Sequence, residues 1–415
     1  MIQTMLTRTH SSTLAVLVAA TLAVAGCSGS STPPATTAVP TTNVVAPIAG
    51  VTPGAASTNP TPIPAAPQVQ AKGFFVMDYT TGQVLAELNA DERLEPASLT
   101  KLMAAYAVFH ALKDGRIKLT DMVTISPHAR DQDGSRMFVD VGTQVSVENL
   151  IQGMIVQSGN DATVALAEHV AGSEPVFVDL MNQYAQQIGM VSTHFENSPG
   201  MPGPQHYTTA HDIALLSTAL IRGYPEYYKY YSQRSFTWNK ITQPNRNGLL
   251  DRDPTVDGLK TGHTDSAGYC LVSSAKREDM RVVSVVMGSP GIRQREDASF
   301  ALLNYGFRFY ETRKLYAAKS PVLTVNVRKG ETKQVQLAPL TDIYATIPRG
   351  QENTLSVAAD VAEPLFAPLS HDKPAGKMRI TQGEKTIGTY DLYPLTDVVE
   401  TGLFGRLWDD VTSWF

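Results

Sequence analysis

The chain has 415 residues, 43% of them hydrophobic and 18% charged, with a formal net charge of −5. That length allows two or three domains and a sizeable core, and the composition is that of a chain that mostly folds. The charge gives no reason to expect nucleic acid, so function must lie in specific sites rather than in bulk electrostatics.

Residues 1–27 read as a signal peptide. A single cation, Arg8, precedes the apolar run from Leu14 to Ala25, which is short for a membrane span. The run ends in Leu22-Ala-Val-Ala-Gly-Cys27, which resembles a bacterial lipobox whose cysteine becomes the lipidated mature N-terminus. Ordinary cleavage beside an incidental cysteine is the alternative. A lipid on Cys27 would anchor the protein to a membrane without spanning it. Residues 28–70 carry no charge and are dominated by Pro, Thr, Ala and Ser, so they are expected to form a disordered tether.

Folded sequence is expected near Gly73, where Phe74–Tyr79 and Gln83–Leu88 flank a Thr-Thr-Gly turn as in a hairpin. A helix follows, with Pro96 in its first turn, an apolar face of Leu102, Ala105, Tyr106, Phe109 and Leu112, and Gly115 past its end. A second helical stretch, 147–170, is broken at Ser158-Gly-Asn-Asp161, and further helical patterns cover 175–188 and 209–221. Strands return at 269–274 and 280–287, and a helix over 296–311 closes the region. Strands first and last around a helical insert suggest a sheet with helices packed on it, over residues 71–315.

Residues 316–396 change to short alternating runs, at 322–327, 333–337, 342–347, 377–380 and 387–392, which predict a small all-β domain. In 397–415, Leu403, Phe404, Leu407, Trp408, Val411, Trp414 and Phe415 recur at helical spacing. That aromatic pattern favours an amphipathic helix lying in a membrane interface over one docked on the β-domain. Cys270, the only cysteine besides Cys27, sits in strand-like sequence and reads as a small buried hydrophobe.

Four signals carry chemistry. Ser98-x-x-Lys101 is weak alone, because Ser273-x-x-Lys276 has the same spacing; Ser98 could be a cap and Lys101 a snorkelling surface residue. Ser158-Gly-Asn160 is also weak, since Ser57-Thr-Asn59 matches it in the tether. Lys260-Thr-Gly262 occurs once. The fourth signal is their order: helix start, inter-helix turn, strand. A serine hydroxyl needs a neighbouring base, and Lys101, three residues on along a helix, could reach it. A lysine serves as a base only when neutral, which needs burial or a nearby cation, and Lys260 could supply that cation. The N–H of Ser98 at a helix start could form half of an oxyanion hole. Gly262 has no side chain, so a peptide could lie against the strand edge there.

The set resembles the penicillin-binding proteins and serine β-lactamases, and most closely the low-molecular-weight D-alanyl-D-alanine carboxypeptidases of the penicillin-binding protein 5/6 type. "MIVQSGNDATVALAEHVAGS", "NRNGLL", "VDGLKTGHTDSAGY", "VVMGS" and "YGFRFYET" carry that resemblance. It implies an α/β (α+β) transpeptidase-like domain plus a β-sandwich, needing no cofactor or metal. The substrate would be the D-Ala-D-Ala end of a peptidoglycan pentapeptide, with β-lactams as covalent inhibitors. It also implies Ser98 as nucleophile, Lys101 as base, Ser158 as proton relay, and Asn160 as hydrogen-bonding partner of Lys101 and substrate. Lys260 and Thr261 would orient the terminal carboxylate, and the His263 N–H would complete the oxyanion hole. Arg246 and Arg295 match arginines near the family's site and could equally be structural ion-pair partners; Asp212 reads as a helix cap or brace. A periplasmic, membrane-anchored location follows, with the C-terminal helix pointing to the inner membrane and lipidation opening the outer one. Two other readings stand beside it: a β-lactamase, for which Glu196 would be the deacylating carboxylate to look for, and a non-catalytic peptidoglycan-binding scaffold.

Overall fold

A computed structural model describes residues 41–44 and 62–402. The expected signal peptide with Cys27, most of the expected tether, and the expected aromatic helix from Leu403 onward lie outside the described residues.

The catalytic-motif region is built on one antiparallel sheet. Its strands are β1 (Gly73–Asp78), β2 (Val84–Leu88), β3 (Val256–Thr264), β4 (Gly268–Arg277) and β5 (Met280–Ser289), in the order β2-β1-β5-β4-β3. All six residues of β1 are buried, because its side chains alternate between two apolar clusters. Phe75 and Met77 face the larger cluster; Phe74 and Val76 face the smaller one. Val283, Val285 and Met287 of β5 split from Val282 and Val286 in the same way. Near-continuous apolar runs therefore mark a sheet covered on both faces.

On one face lie α1 (Lys101–Lys113), α2 (Val147–Val156), α3 (Asn160–Ala171), α4 (Glu174–Ile188) and α5 (Ala210–Gly223). The other face is covered by α6 (Ile292–Phe309), through Ala298, Leu302 and Leu303. This helix begins and ends earlier than the periodicity predicts. The expected single apolar face of α1 is also too narrow: Met103, Ala104, Ala107, Val108 and Ala111 are buried as well, so α1 is a central helix packed on nearly every side. Residues 62–70, expected to belong to the tether, run beside α6, with Ile63, Ala66 and Val69 packed on its cluster and the Tyr305 hydroxyl donating to Pro64 O at 3.0 Å.

After α6 the chain enters the β-sandwich through β6 (Tyr310–Tyr316). There follow β7 (Leu323–Arg328), β8 (Gln334–Ala338), β9 (Ile343–Pro348), β10 (Leu355–Ala362), β11 (Leu365–Phe366), β12 (Gly376–Gln382) and β13 (Lys385–Pro394). The short strand Thr41–Val44 adds to the free edge of β10, and the sheet continues β10-β12-β13-β8-β7-β11, while β6 pairs with β9. Strand β10 has no counterpart among the expected runs. It alternates Leu355, Val357, Ala359 and Val361 inward, but three alanines dilute its β signal. At the junction, the buried Asp78 carboxylate accepts from Thr81 N and Oγ1 and from Thr312 Oγ1, at 2.7–2.9 Å.

Candidate active site

Three segments converge on one groove of about 1000 Å³, lined among others by Ser98, Ser158, Asn160, Arg246, Thr261, Gly262 and His263. Ser98 lies not in the helix itself but in a 3₁₀ turn, Ala97–Thr100, that leads into α1. Ser158 sits in the turn between α2 and α3, and its φ of 61° is left-handed. Non-glycine residues rarely adopt that region, and such backbone tends to collect at functional sites. Lys260, Thr261 and Gly262 lie on β3, an edge of the sheet.

Glycine at 262 serves a purpose the sequence reading did not foresee. A Cβ there would stand 2.9 Å from Pro96 O, 3.2 Å from Leu99 N and 3.3 Å from the Ala97 Cβ. The missing side chain makes room for the protein's own Ser98 turn. Gly200, with φ of +91°, presses on the same turn: its Cβ would clash with Ala97 O. Two glycines from distant parts of the chain thus leave room for the turn.

Lys101 is only 1% exposed, which rules out a snorkelling surface role. Its Nζ lies 3.1 Å from Ser98 Oγ, 2.7 Å from Asn160 Oδ1 and 2.5 Å from Pro199 O. Two of these partners are pure acceptors. A neutral amine has two N–H donors and one lone pair, so the two carbonyl oxygens take the donors and the lone pair is left for the hydroxyl proton of Ser98. The decoy pair lacks this: Ser273 is buried on β4, while Lys276 of the same strand is exposed.

The electrostatics agree with the geometry. Burial pushes Lys101 down to about 7, helped by the charge of Arg246 and opposed by Asp161. Lys260 is 3% exposed, and its Nζ donates to Ser158 Oγ at 2.9 Å and to Thr261 O at 2.8 Å. It too is pushed well below its ordinary value, by burial first and then by Lys101, Arg246 and Arg295. Two buried amines in one site disfavour carrying two protons at once. Arg246 is therefore a second cation that depresses Lys101, beside the mutual repulsion between the two buried amines.

Asn160 is locked on both sides. Besides accepting from Lys101, its Nδ2 donates to Asp133 O and its N to Ser135 O. The next residue, Asp161, was not singled out from the sequence. It is fully buried, and its carboxylate accepts from the N–H groups of Met137, Phe138 and Val139, pinning the loop beside the groove. Arg295 is buried; it lines the groove and donates to Arg246 O at 3.3 Å. His263 is exposed, with its ring stacked on Tyr269 at 4.0 Å. Asp212 accepts from Ser192 N and Thr193 Oγ1, which makes it the expected brace. Glu196 instead closes its own loop, accepting from Gln205 N at 3.0 Å. Cys270 is buried and pushed up to about 11 by that burial.

The sequence profile of the D-alanyl-D-alanine carboxypeptidases of peptidase family S11 matches residues 60–291, more than half of the chain. The chain belongs to that family. The profile of the penicillin-binding protein 5 C-terminal domain matches residues 310–400. D-alanyl-D-alanine carboxypeptidase DacA of Haemophilus influenzae is 46% identical over 349 residues, which is 83% of this chain and 89% of that protein. DacC of Escherichia coli is 45% identical, covering 84% of this chain and 90% of the relative. Among solved structures, penicillin binding protein 5 from Haemophilus influenzae aligns with a TM-score of 0.77 at 45% identity, over 82% of this chain and all of that one. The family's two-domain architecture is thus the one seen here, the S11 profile ending just before α6 and the second profile beginning at β6.

Proposed function

We propose that this serine-type D-Ala-D-Ala carboxypeptidase removes the terminal D-alanine from peptidoglycan pentapeptide stems through a Ser98 acyl-enzyme. The observation that carries the assignment of residues is the buried Lys101 Nζ, 3.1 Å from Ser98 Oγ and pushed down to about 7. Near neutral pH about half of such a lysine is unprotonated, so it can take the hydroxyl proton as Ser98 Oγ attacks the carbonyl carbon of the D-Ala–D-Ala bond. The oxyanion is received by the N–H groups of Ser98 and His263. Ser158 passes a proton to the leaving nitrogen, with Lys260 2.9 Å behind it, and D-alanine departs. Lys260, Thr261 and Arg246 hold the substrate's terminal carboxylate. Water then cleaves the ester and regenerates Ser98. A β-lactam ring is opened by the same attack, and its acyl-enzyme persists.

In the Ser98→Ala variant, D-alanine release from a pentapeptide and labelling by fluorescent penicillin are both expected to vanish while the fold persists. Retained labelling would refute the choice of nucleophile, and rapid nitrocefin turnover without an accumulating acyl-enzyme would refute the peptidase reading.

The enzyme is further inferred to work in the periplasm on a membrane surface, held by the aromatic C-terminal helix and by lipid on Cys27. The Leu22–Cys27 run and the helical spacing of Leu403, Leu407, Trp408 and Val411 support this. Mass spectrometry of the mature N-terminus is expected to show a diacylglyceryl-modified cysteine; an unmodified N-terminus would remove the lipid anchor.

A further inference from the structure

His206 is a buried titratable side chain that the chemistry above does not use. It is 2% exposed and lies at the end of the loop that starts at Phe195 and supplies Pro199 O to Lys101. Its two ring nitrogens have different partners. Nδ1 is 3.0 Å from the N–H of Glu196, which can only donate, so Nδ1 must be the acceptor. The proton is therefore on Nε2, which stands 2.8 Å from Thr100 Oγ1 and donates to it. Thr100 is fully buried and is the last residue of the Ser98 turn, directly before Lys101.

We propose that His206 is a positioning residue for acylation: as a neutral imidazole it ties the Ser98 turn, through Thr100, to the loop whose carbonyl holds Lys101. Three observations point the same way. One side chain joins the start of the loop to the turn, so the distance between Pro199 O and Lys101 Nζ is set at both ends. Gly200, next to that carbonyl, approaches the turn so closely that a Cβ there would clash with Ala97 O and stand 2.9 Å from Thr100 Oγ1. Burial, followed by the charges of His194 and Lys101, pushes His206 down to about 4, so the donating tautomer persists at neutral pH. A protonated imidazole at His206 would be repelled by a charged Lys101, and the site avoids it.

This inference rests on Ser98 being the nucleophile activated by Lys101, and the experiment separates the two claims. The full chain and its His206→Phe, His206→Gln and Thr100→Val variants are labelled with fluorescent penicillin. Long incubation counts the competent sites; the time course gives the acylation rate per site. A displaced catalytic pair slows reaction by about 10- to 100-fold. His206→Phe and Thr100→Val are each expected to label fully at long times, but at per-site rates lowered by that factor. The double variant should be no slower than either single one, because both remove the same link. A glutamine can accept from Glu196 N through its oxygen and donate to Thr100 through its nitrogen, so His206→Gln should recover most of the rate. A per-site rate within twofold of the native one in Thr100→Val, losses that multiply in the double variant, or no recovery in His206→Gln would each overturn the proposal. Loss of all labelling at every time belongs to Ser98→Ala alone, so persistent labelling there would fail the nucleophile assignment, not the role of His206.

Discussion

The two folded regions differ most in what they bury. Inside the sheet-and-helix region lie Lys101, Lys260, Asp161, Asp212, Ser158 and Asn160, all less than 5% exposed. The β-sandwich core, around Leu337, Val357, Met378, Ile380 and Leu392, is apolar, and the fully buried carboxylate nearest to it is Asp78 at the junction. Burying a charge is costly unless it is partnered. A region that keeps two lysines out of water is using stability to alter their protonation, whereas the sandwich uses its interior for packing alone. Buried charge thus separates the part that reacts from the part that supports.

The comparison can be tested by perturbing each region in its own currency. The larger effect is expected in the sandwich. Leu337→Ala removes a fully buried side chain there and should cost about 2–5 kcal/mol of stability. Thermal unfolding would show that loss, while penicillin acylation per competent site should stay at the native rate; a matching fall in that rate would mean the sandwich also shapes the groove. The smaller effect is electrostatic and belongs to the groove. Because Lys101 must be neutral to act, acylation should rise with pH and reach half its plateau near 7, the value to which burial and Arg246 bring it. The cation of Arg246 favours the neutral form, so Arg246→Gln should move the half-point upward. Since Arg246 is exposed, added salt should produce part of that shift in the native enzyme and little in the variant. A half-point that does not move would leave burial as the whole cause.

The order of elements was largely legible in the sequence because each has a local signature. Turn residues bound the β1–β2 hairpin, the break at Ser158-Gly-Asn-Asp161 separates α2 from α3, and alternation marks most sandwich strands. Strand β10 escaped because small residues weaken the same signal. The burial of α1 on all sides escaped because periodicity reports one face, not how many neighbours close around a helix.

Ser98, Lys101, Ser158, Asn160 and Lys260 were nameable from motif order and family resemblance alone. Their energetics were not. The 2.7 Å bond from Lys101 to Asn160 spans 59 positions, the contact with Pro199 O spans 98, and the pairing of Lys260 with Ser158 spans 102. No local pattern encodes separations of that size. The same holds for Arg246 as a cation felt by Lys101, for Asp161 gathering three backbone donors, and for His206 behind Thr100. The sequence by itself determined which functional groups are present and in what chain order. Tertiary structure alone decided which of them lost water and which charge each one feels, because desolvation and Coulomb interactions depend on distance through space and not along the chain.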